Sequence, residues 1–329
     1  TMDESLQYHS LERKANKMQT ISIVVPCYNE QEALPLFYNE ITRIAQSMNH
    51  YNFEFLFVDD GSKDKTLSVL KKFAKRDSRV VYLSFSRNFG KEAAMYAGFC
   101  NVTGDYVAVM DADMQDPPVL LRQMYEAVTR EGYDSAATRR ISREGEPPVR
   151  SFFARLFYRI INYISDVDIE DGARDFRMMS RKMVDVIVSM GEYNRFSKGI
   201  FGWIGFKTKW IPFENVERIA GETKWSFWKL FKYSLSGIIN FSEIPLTIAS
   251  VAGLICCFIA LIGVAIIVIR RLIFGDPVAG WASLASIIIF LGGLQLLCIG
   301  IMGQYLAKTY METKRRPVYI VRETNKKLD

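Results

Sequence analysis

The stretch Tyr106-Val-Ala-Val-Met-Asp-Ala-Asp-Met-Gln-Asp-Pro-Pro118 decides how this chain is read. Its apolar opening, Tyr106 to Met110, predicts a strand, and Pro117-Pro118 start a helix that runs to about Arg130, because proline is tolerated in a first helical turn. Between them Asp111 and Asp113 stand one residue apart, which puts two carboxylates just past the strand's carboxyl end. Oxygen ligands so placed suit a hard divalent cation, Mg²⁺ or Mn²⁺, held against diphosphate oxygens. A cation there neutralises charge developing on a departing diphosphate. Two aspartates around one residue also occur in ordinary turns, so the flanking strand and helix carry the reading.

Upstream, the same alternation repeats. Ile21-Ser-Ile-Val-Val25 is a β-branched run stopped by Pro26, and a helical pattern follows from Glu30 to Met48. Phe53 to Val58 predicts a strand, Asp60-Gly61-Ser62 a turn and Thr66 to Arg76 a helix. Val80 to Phe85 predicts a third strand and Lys91 to Asn101 a third helix. Strand and helix in turn with short loops imply an α/β fold, a mainly parallel sheet covered on both faces. Ligands of such sheets bind at the carboxyl ends of the strands. Tyr28-Asn29-Glu30, Asp59-Asp60, Arg87-Asn88 and Asp111-Ala112-Asp113 all fall there.

Downstream, the character of the chain changes. Of its 329 residues 49% are hydrophobic, and most of the excess lies after Phe241. Leu246 to Ile269 is 24 residues without a charge, and Trp281 to Leu306 is a second uncharged stretch. A membrane span needs roughly 20 residues, so two transmembrane helices are expected. Lys308, Lys314, Arg315, Arg316, Arg322, Lys326 and Lys327 follow. Positive charge on this tail and ahead of the first span predicts a multi-pass protein of the plasma membrane with both ends cytoplasmic. Ser151 to Ile164 and Ser226 to Phe241 gather aromatic and aliphatic residues on one helical face with basic residues opposite, as helices in the head-group plane do. An ordinary helix docked on the sheet is the alternative for the first. The expected division is a tail over 1–19, an α/β domain over 20–225 containing the 151–164 helix, an amphipathic helix over 226–241, membrane segments over 242–307 and a basic tail over 308–329.

Charge narrows the partners. The net charge is +6, and the segment from Arg139 to Lys232 alone holds 18 Lys and Arg against 12 Asp and Glu. A basic zone just before apolar spans fits an anionic membrane face or lipid head group. No nucleic-acid motif accompanies it, so no nucleic-acid partner is expected. Cys27, Cys100, Cys256, Cys257 and Cys298 form no CxxC pair, and His9 and His50 are the only histidines, which argues against disulfide frameworks, zinc sites and histidine catalysis. No GxGxxG follows the first strand, against a dinucleotide oxidoreductase.

Taken jointly, Val24-Val-Pro-Cys-Tyr-Asn-Glu30, Val58-Asp-Asp-Gly-Ser62 with Asp64 and Thr66, and Asp111 to Pro118 resemble family 2 glycosyltransferases of GT-A fold. Gly172 to Arg177, Arg195-Phe-Ser-Lys-Gly199, and Arg218 with Gly221-Glu-Thr-Lys224 extend the likeness to about Thr20–Arg316. With two apolar spans, the chain is similar to bactoprenol glucosyltransferases and, more distantly, to dolichol-phosphate mannose synthases. The resemblance implies an inverting transferase that moves a hexose, glucose first among the choices, from a UDP-sugar to polyprenyl phosphate. It implies Pro26, Tyr28, Glu30 and Asp60 around base and ribose, with Lys91, Asp111 and Ala112 also on the donor side. Asp113 is implied as the principal metal ligand, assisted by Asp111 and Gln115. The acceptor phosphate would draw on Arg139, Arg143, Arg177, Arg195, Lys198, Arg218 and Lys224. Asp113, Asp175 and Arg177 are implied to carry the reaction, and a homotetramer is the implied assembly.

Some alternatives stay open in the residues themselves. Asp59-Asp60-Gly61-Ser62 also reads as a turn with a helix cap. Lys91 either reaches donor phosphate or sugar, or is an exposed lysine at a helix start. Asp175 is either a base or a partner for a neighbouring arginine. Glucose, N-acetylglucosamine and other donors are not separated. A processive polysaccharide synthase would carry a QxxRW-type motif and more spans, and a non-catalytic assembly scaffold would not need Asp111, Asp113 and Gln115 intact.

Overall fold

The computed structural model describes residues 18–141, 169–214, 244–274 and 280–326, together with 159, 162, 163, 239, 240 and 242. The expected helices at 151–164 and 226–241, and the residues Arg143, Arg218 and Lys224, lie almost wholly or wholly outside them.

Four strands, β1 (Thr20–Cys27), β2 (Asn52–Asp59), β3 (Val80–Phe85) and β4 (Tyr106–Val109), build the parallel centre. Their near-continuous apolar runs follow from burial on both faces, as parallel strands require. On β1, Ile21, Ile23 and Val25 enter one core layer and Val24 the other. The helices α1 (Ala33–Ser47), α2 (Thr66–Arg76) and α4 (Leu120–Arg130) cover the first face through Phe37, Ile41, Leu70, Leu121 and Met124. The opposite face is covered by α3 (Lys91–Asn101), α5 (Arg181–Ser189) and α6 (Ser197–Trp203), with Ala94, Phe99, Val184 and Ile200 inward. α3 approaches so closely that a Cβ on Gly98 would stand 2.1 Å from Val24 Cγ1.

The edges of the sheet depart from the parallel expectation. β5 (Ser135–Arg140) and β6 (Ala173–Ser180) pair antiparallel, β6 also runs antiparallel to β4, and β7 (Thr208–Phe213) lies parallel to β5. At the far edge β8 (Val321–Thr324), near the end of the chain, runs antiparallel to β3. The order is β7-β5-β6-β4-β1-β2-β3-β8. The chain moves outward from β1 through β2 to β3, then returns to place β4 on β1's other side. That reversal opens a crevice at the carboxyl ends of β1 and β4, where doubly wound sheets bind ligands.

Two long helices follow the sheet domain, α7 (Ile244–Phe274, 31 residues) and α8 (Trp281–Thr313, 33 residues). Each would extend about 45–50 Å at 1.5 Å per residue. Within α8, Phe290–Thr313 is long and apolar enough to cross a membrane; the apolar stretch Ile244–Cys256 of α7 is shorter.

Gly61 holds the turn after β2 with φ of +65°, and a Cβ there would lie 2.4 Å from the Arg87 carbonyl carbon. Gly61→Ala therefore forces both a left-handed alanine and a backbone clash. A loss of about 1–3 kcal/mol is expected, seen as a lower midpoint in thermal unfolding of the detergent-solubilised chain; an unchanged midpoint contradicts it.

Candidate active site

The loops at the crevice are stitched to one another by short polar side chains. Ser62 Oγ accepts from Asn29 N at 2.9 Å, Thr66 Oγ1 from Glu30 N at 2.9 Å and Asp64 Oδ2 from Gln31 N at 3.3 Å. In return Asn29 Oδ1 accepts from Lys63 N at 2.8 Å. Residues 29–31 thus lean on the second loop, and α1 begins at Ala33 rather than at Glu30. β1 continues through Pro26, which the sequence suggested as its stop, and ends at Cys27, with Tyr28 and Glu30 half-buried on the loop beyond it.

Both aspartates at the end of β2, Asp59 and Asp60, are buried and hold main chain. Asp59 accepts from Ser62 N at 3.0 Å and from Ser84 Oγ at 2.8 Å. Asp60 latches the loop after β3, accepting from Phe89 N at 2.6 Å and Gly90 N at 3.0 Å. Burial pushes the Asp60 carboxyl up to about 6, against the lowering effect of those N–H donors. The turn reading of this motif therefore has a concrete basis, and the same hydrogen bonds place Asp60 beside the crevice.

The centre of the site is one ammonium between two carboxylates. Lys91, the first residue of α3, sets Nζ 2.7 Å from Asp111 Oδ1 and 2.5 Å from Asp175 Oδ2. Asp111 follows β4 and Asp175 lies on β6, so three separate elements meet on one charge. Burial alone would lower the lysine, but the two carboxylates outweigh it and hold Lys91 well above the ordinary lysine value. Burial alone would likewise raise Asp175; Lys91, then Lys198, reverse the sign and hold its carboxyl far below the usual range. Lys198 stands in the first turn of α6 and donates to Ala173 O at 2.8 Å.

A second ion pair braces the loop after β4. Arg174 Nε donates to Asp116 Oδ1 at 3.0 Å and Arg174 Nη2 to Gln115 Oε1 at 3.3 Å. Asp116 is buried and its Oδ2 has no hydrogen-bond partner; burial pushes it up to about 6 despite Arg174. Asp113 is 7% exposed, accepts from Gln115 N at 3.1 Å and is followed by Met114 at φ of +60°. Among the described residues no three His, Cys, Asp or Glu side chains cluster as a metal site. Asp111, Asp113 and Gln115 offer only hard oxygen donors, the type a divalent cation takes, with Asp111 here paired to Lys91 and Gln115 to Arg174. Ala112, between the two acids, is buried.

Arg177 lies two residues along β6 from Asp175, on the same face of the strand. The residue is 4% exposed, and its guanidinium donates to Ser135 Oγ at 3.1 Å and Thr208 Oγ1 at 3.3 Å and sits over the rings of Phe201 and Trp210. No ion pair compensates it among the described residues, its Nε is unpartnered, and burial pulls it down to about 10. A cavity of about 200 Å³ opens beside it, lined also by Ala173, Arg174, Lys198 and Phe201. Arg139 pairs with Glu170 at its rim. Arg195 is turned to the end of α5, where it donates to the Met190 and Ile187 carbonyls and stacks over Tyr96.

Arg174 has no part in the sequence expectations. The signal for it was the period of two along a strand: in Ala173-Arg-Asp-Phe-Arg177, residues 174 and 175 must face opposite sides of the sheet, so each needs its own partner.

A sheet of this order, with its crevice at the switch point and paired aspartates after β4, is the GT-A architecture of nucleotide-sugar transferases. The sequence profile described as Glycosyl transferase family 2 matches residues 22–188. The chain belongs to that family and is a glycosyltransferase. It is 42% identical to the prophage bactoprenol glucosyl transferase homolog of Escherichia coli (strain K12), over 93% of this chain and 99% of that protein. The bactoprenol glucosyl transferase of Shigella phage SfV is 41% identical, again over 93% and 99%. Glucosyl-3-phosphoglycerate synthase from Mycobacterium tuberculosis, solved with Mn²⁺ and UDP-glucose, superposes with a TM-score of 0.45 at 17% identity, covering 69% of this chain and 79% of that one. A likeness that loose says nothing about donor or metal.

Two outcomes follow from the site. Asp60 binds its proton more tightly folded than unfolded, so its contribution to stability is full below about pH 4 and is lost as pH rises through about 6. Asp60→Asn, which keeps one acceptor oxygen, is expected to flatten that part of the profile when melting midpoints are compared between pH 4.5 and 7. Lys91→Met leaves two acids facing each other and is expected to cut turnover on the order of 100-fold or more, measured as initial rate with the fold verified by circular dichroism.

Proposed function

We propose that this glycosyltransferase moves a hexose, glucose from UDP-glucose, to polyprenyl phosphate at the cytoplasmic face of a membrane. The observation that carries the chemistry is the Lys91 bridge between Asp111 and Asp175, set beside Lys198 and the Arg177 cavity. Acceptor identity is supported by the bactoprenol-named relatives, which match this chain almost end to end.

The reaction is a single displacement. An acceptor phosphate oxygen attacks the anomeric carbon as the bond to the UDP oxygen breaks, so configuration inverts and UDP leaves. The nucleophile is already an anion and needs no proton removed. Asp175, held ionised by its ion pair with Lys91 and the nearby charge of Lys198, is a poor base and a good anchor for Lys91. What two approaching anions need is charge compensation and alignment. Lys198 and Arg177 stand where an acceptor phosphate could be met, with Arg139 at the rim, and Arg218 and Lys224 are further candidates from the basic segment before α7. Pro26, Tyr28, Glu30 and Asp60 border the crevice where base and ribose would lie, and Asp60 keeps lone pairs for a uracil N3–H. Mg²⁺ or Mn²⁺, held by Asp111, Asp113 and Gln115, would supply Lewis-acid neutralisation of the leaving diphosphate.

Two spans, α7 and α8, suit the lipid acceptor. Leu254, Phe258, Leu272, Leu296 and Leu306 are each more than 60% exposed, and so long an array of bare apolar side chains calls for an apolar solvent. Basic residues on the tail support a cytoplasmic location for both ends.

The purified full chain, given UDP-glucose, Mn²⁺ and polyprenyl phosphate, is expected to form an organic-extractable glucosyl lipid and UDP. EDTA and Asp113→Ala should each reduce the rate by about 100-fold or more. No lipid-linked sugar from UDP-glucose or any other common nucleotide sugar overturns the proposal.

A further inference from the structure

The last turn of α8 is bound to the loop that starts α6. Glu312 accepts from Tyr193 N at 3.0 Å and from Asn194 N at 3.1 Å, although 118 residues or more of chain separate the partners. Both of these donors are main-chain groups, joined by the Asn194 side-chain amide at 3.5 Å, so the carboxylate holds chiefly the path of the loop. A second link lies beside it: Asn240 Nδ2 donates to Asn194 O at 2.8 Å, and Lys308 Nζ, one helical turn before Glu312, donates to Asn240 Oδ1 at 2.5 Å.

Beyond the loop the connection continues to the chemistry. Ser197 opens α6, and both its N–H, at 3.0 Å, and its hydroxyl donate to Glu92. Glu92 is the neighbour of Lys91 at the start of α3. The next residue, Lys198, is the cation facing Asp175, and Phe201, one turn on, is the ring beneath Arg177. The loop 191–196 is thus clamped between Glu312 on the long apolar helix and Glu92 on the donor-side helix. Its far end delivers the two residues that flank the cavity.

We infer that Glu312 is a positioning residue: it sets the 193–194 main chain, and through it the placement of Lys198 and Phe201, so that the acceptor side of the site is registered against the long helix. In its catalytic consequence this rests on lipid phosphate being the acceptor. Glu312 touches neither sugar nor phosphate; its effect passes through α6. The anchorage is reinforced where the chain leaves α8, because Tyr319 stacks on Phe85 at 5.2 Å and β8 joins the sheet edge. Glu312 therefore tunes one loop on a chain already held, and its loss should not release the domain.

The test compares full-chain protein with Glu312→Ala and Glu312→Gln in lipid vesicles. Glu312→Ala is expected to raise KM for polyprenyl phosphate about five- to tenfold while KM for UDP-glucose stays within about twofold. Glu312→Gln, whose amide oxygen still accepts from main-chain N–H, should recover most of the loss. Independently of activity, hydrogen exchange in Glu312→Ala should speed up across residues 193–203 and stay unchanged in α1. Unaltered exchange at 193–203 overturns the coupling, whatever the activity. Unaltered KM for the lipid, or equal losses toward both substrates, overturns the acceptor-side role. Wild-type protein that makes no lipid-linked sugar overturns the proposed function instead, and leaves the exchange result to judge the coupling.

Discussion

Everything in the crevice depends on one ammonium group standing between two carboxylates. Asp111, on the loop after β4, and Asp175, on β6, come from different parts of the fold, and without Lys91 they would meet as like charges in a part-buried site, where repulsion is poorly screened. With it, the first turn of α3, the loop after β4 and the start of β6 are drawn to a common point. The Arg174–Asp116 pair repeats the device on the other face of β6. Two acids of the loop after β4 are thus compensated by cations from elsewhere in the fold. A strongly acidic loop can then sit at the crevice with much of its charge neutralised.

Buried ion pairs contribute little to net stability, since desolvation offsets the attraction, and their usual worth is in specifying geometry. That is their use here. The apolar sandwich of α1, α2 and α4 against α3, α5 and α6 supplies the stability and brings strand ends together to within a few ångströms. Charge pairing and short side-chain hydrogen bonds settle the remainder: Ser62, Asp64 and Thr66 hold residues 29–31, and Asp60 holds residues 89–90. Arg177 is the exception, a buried cation set against hydroxyls and aromatic rings with no carboxylate ion-paired to it among the described residues.

The parts of the site written into contiguous residues were legible. Apolar runs at Ile21–Val25, Phe53–Val58, Val80–Phe85 and Tyr106–Met110 form the central strands because burial on both faces demands such runs. The paired aspartates fall past the fourth of them. The antiparallel side of the sheet escaped: Ser135–Arg140 and Ala173–Ser180 carry at least as many polar as apolar residues, and their pairing depends on partners far along the chain. Val321–Thr324 is only four residues and reads as part of a basic tail. Lys91 posed an open choice between a phosphate contact and a bare surface lysine, and the structure offers a third role, a bridge. Arg195, expected among the phosphate cations, meets the carbonyls at the end of α5, since a buried helix end must have its acceptors satisfied. Glu92 and Glu312 gave no local sign of any role, because their partners lie about 100 residues or more away.

From its residues alone this protein's class was determined: hydrophobic periodicity is a local property, and it dictated an α/β sheet, long apolar helices behind it and a carboxylate pair at a strand's end. Which charge answers which was decided only by the tertiary structure. Coulomb attraction and hydrogen bonding act over a few ångströms of space regardless of separation along the chain, and only the folded sheet brings residues 91, 111 and 175 within that range.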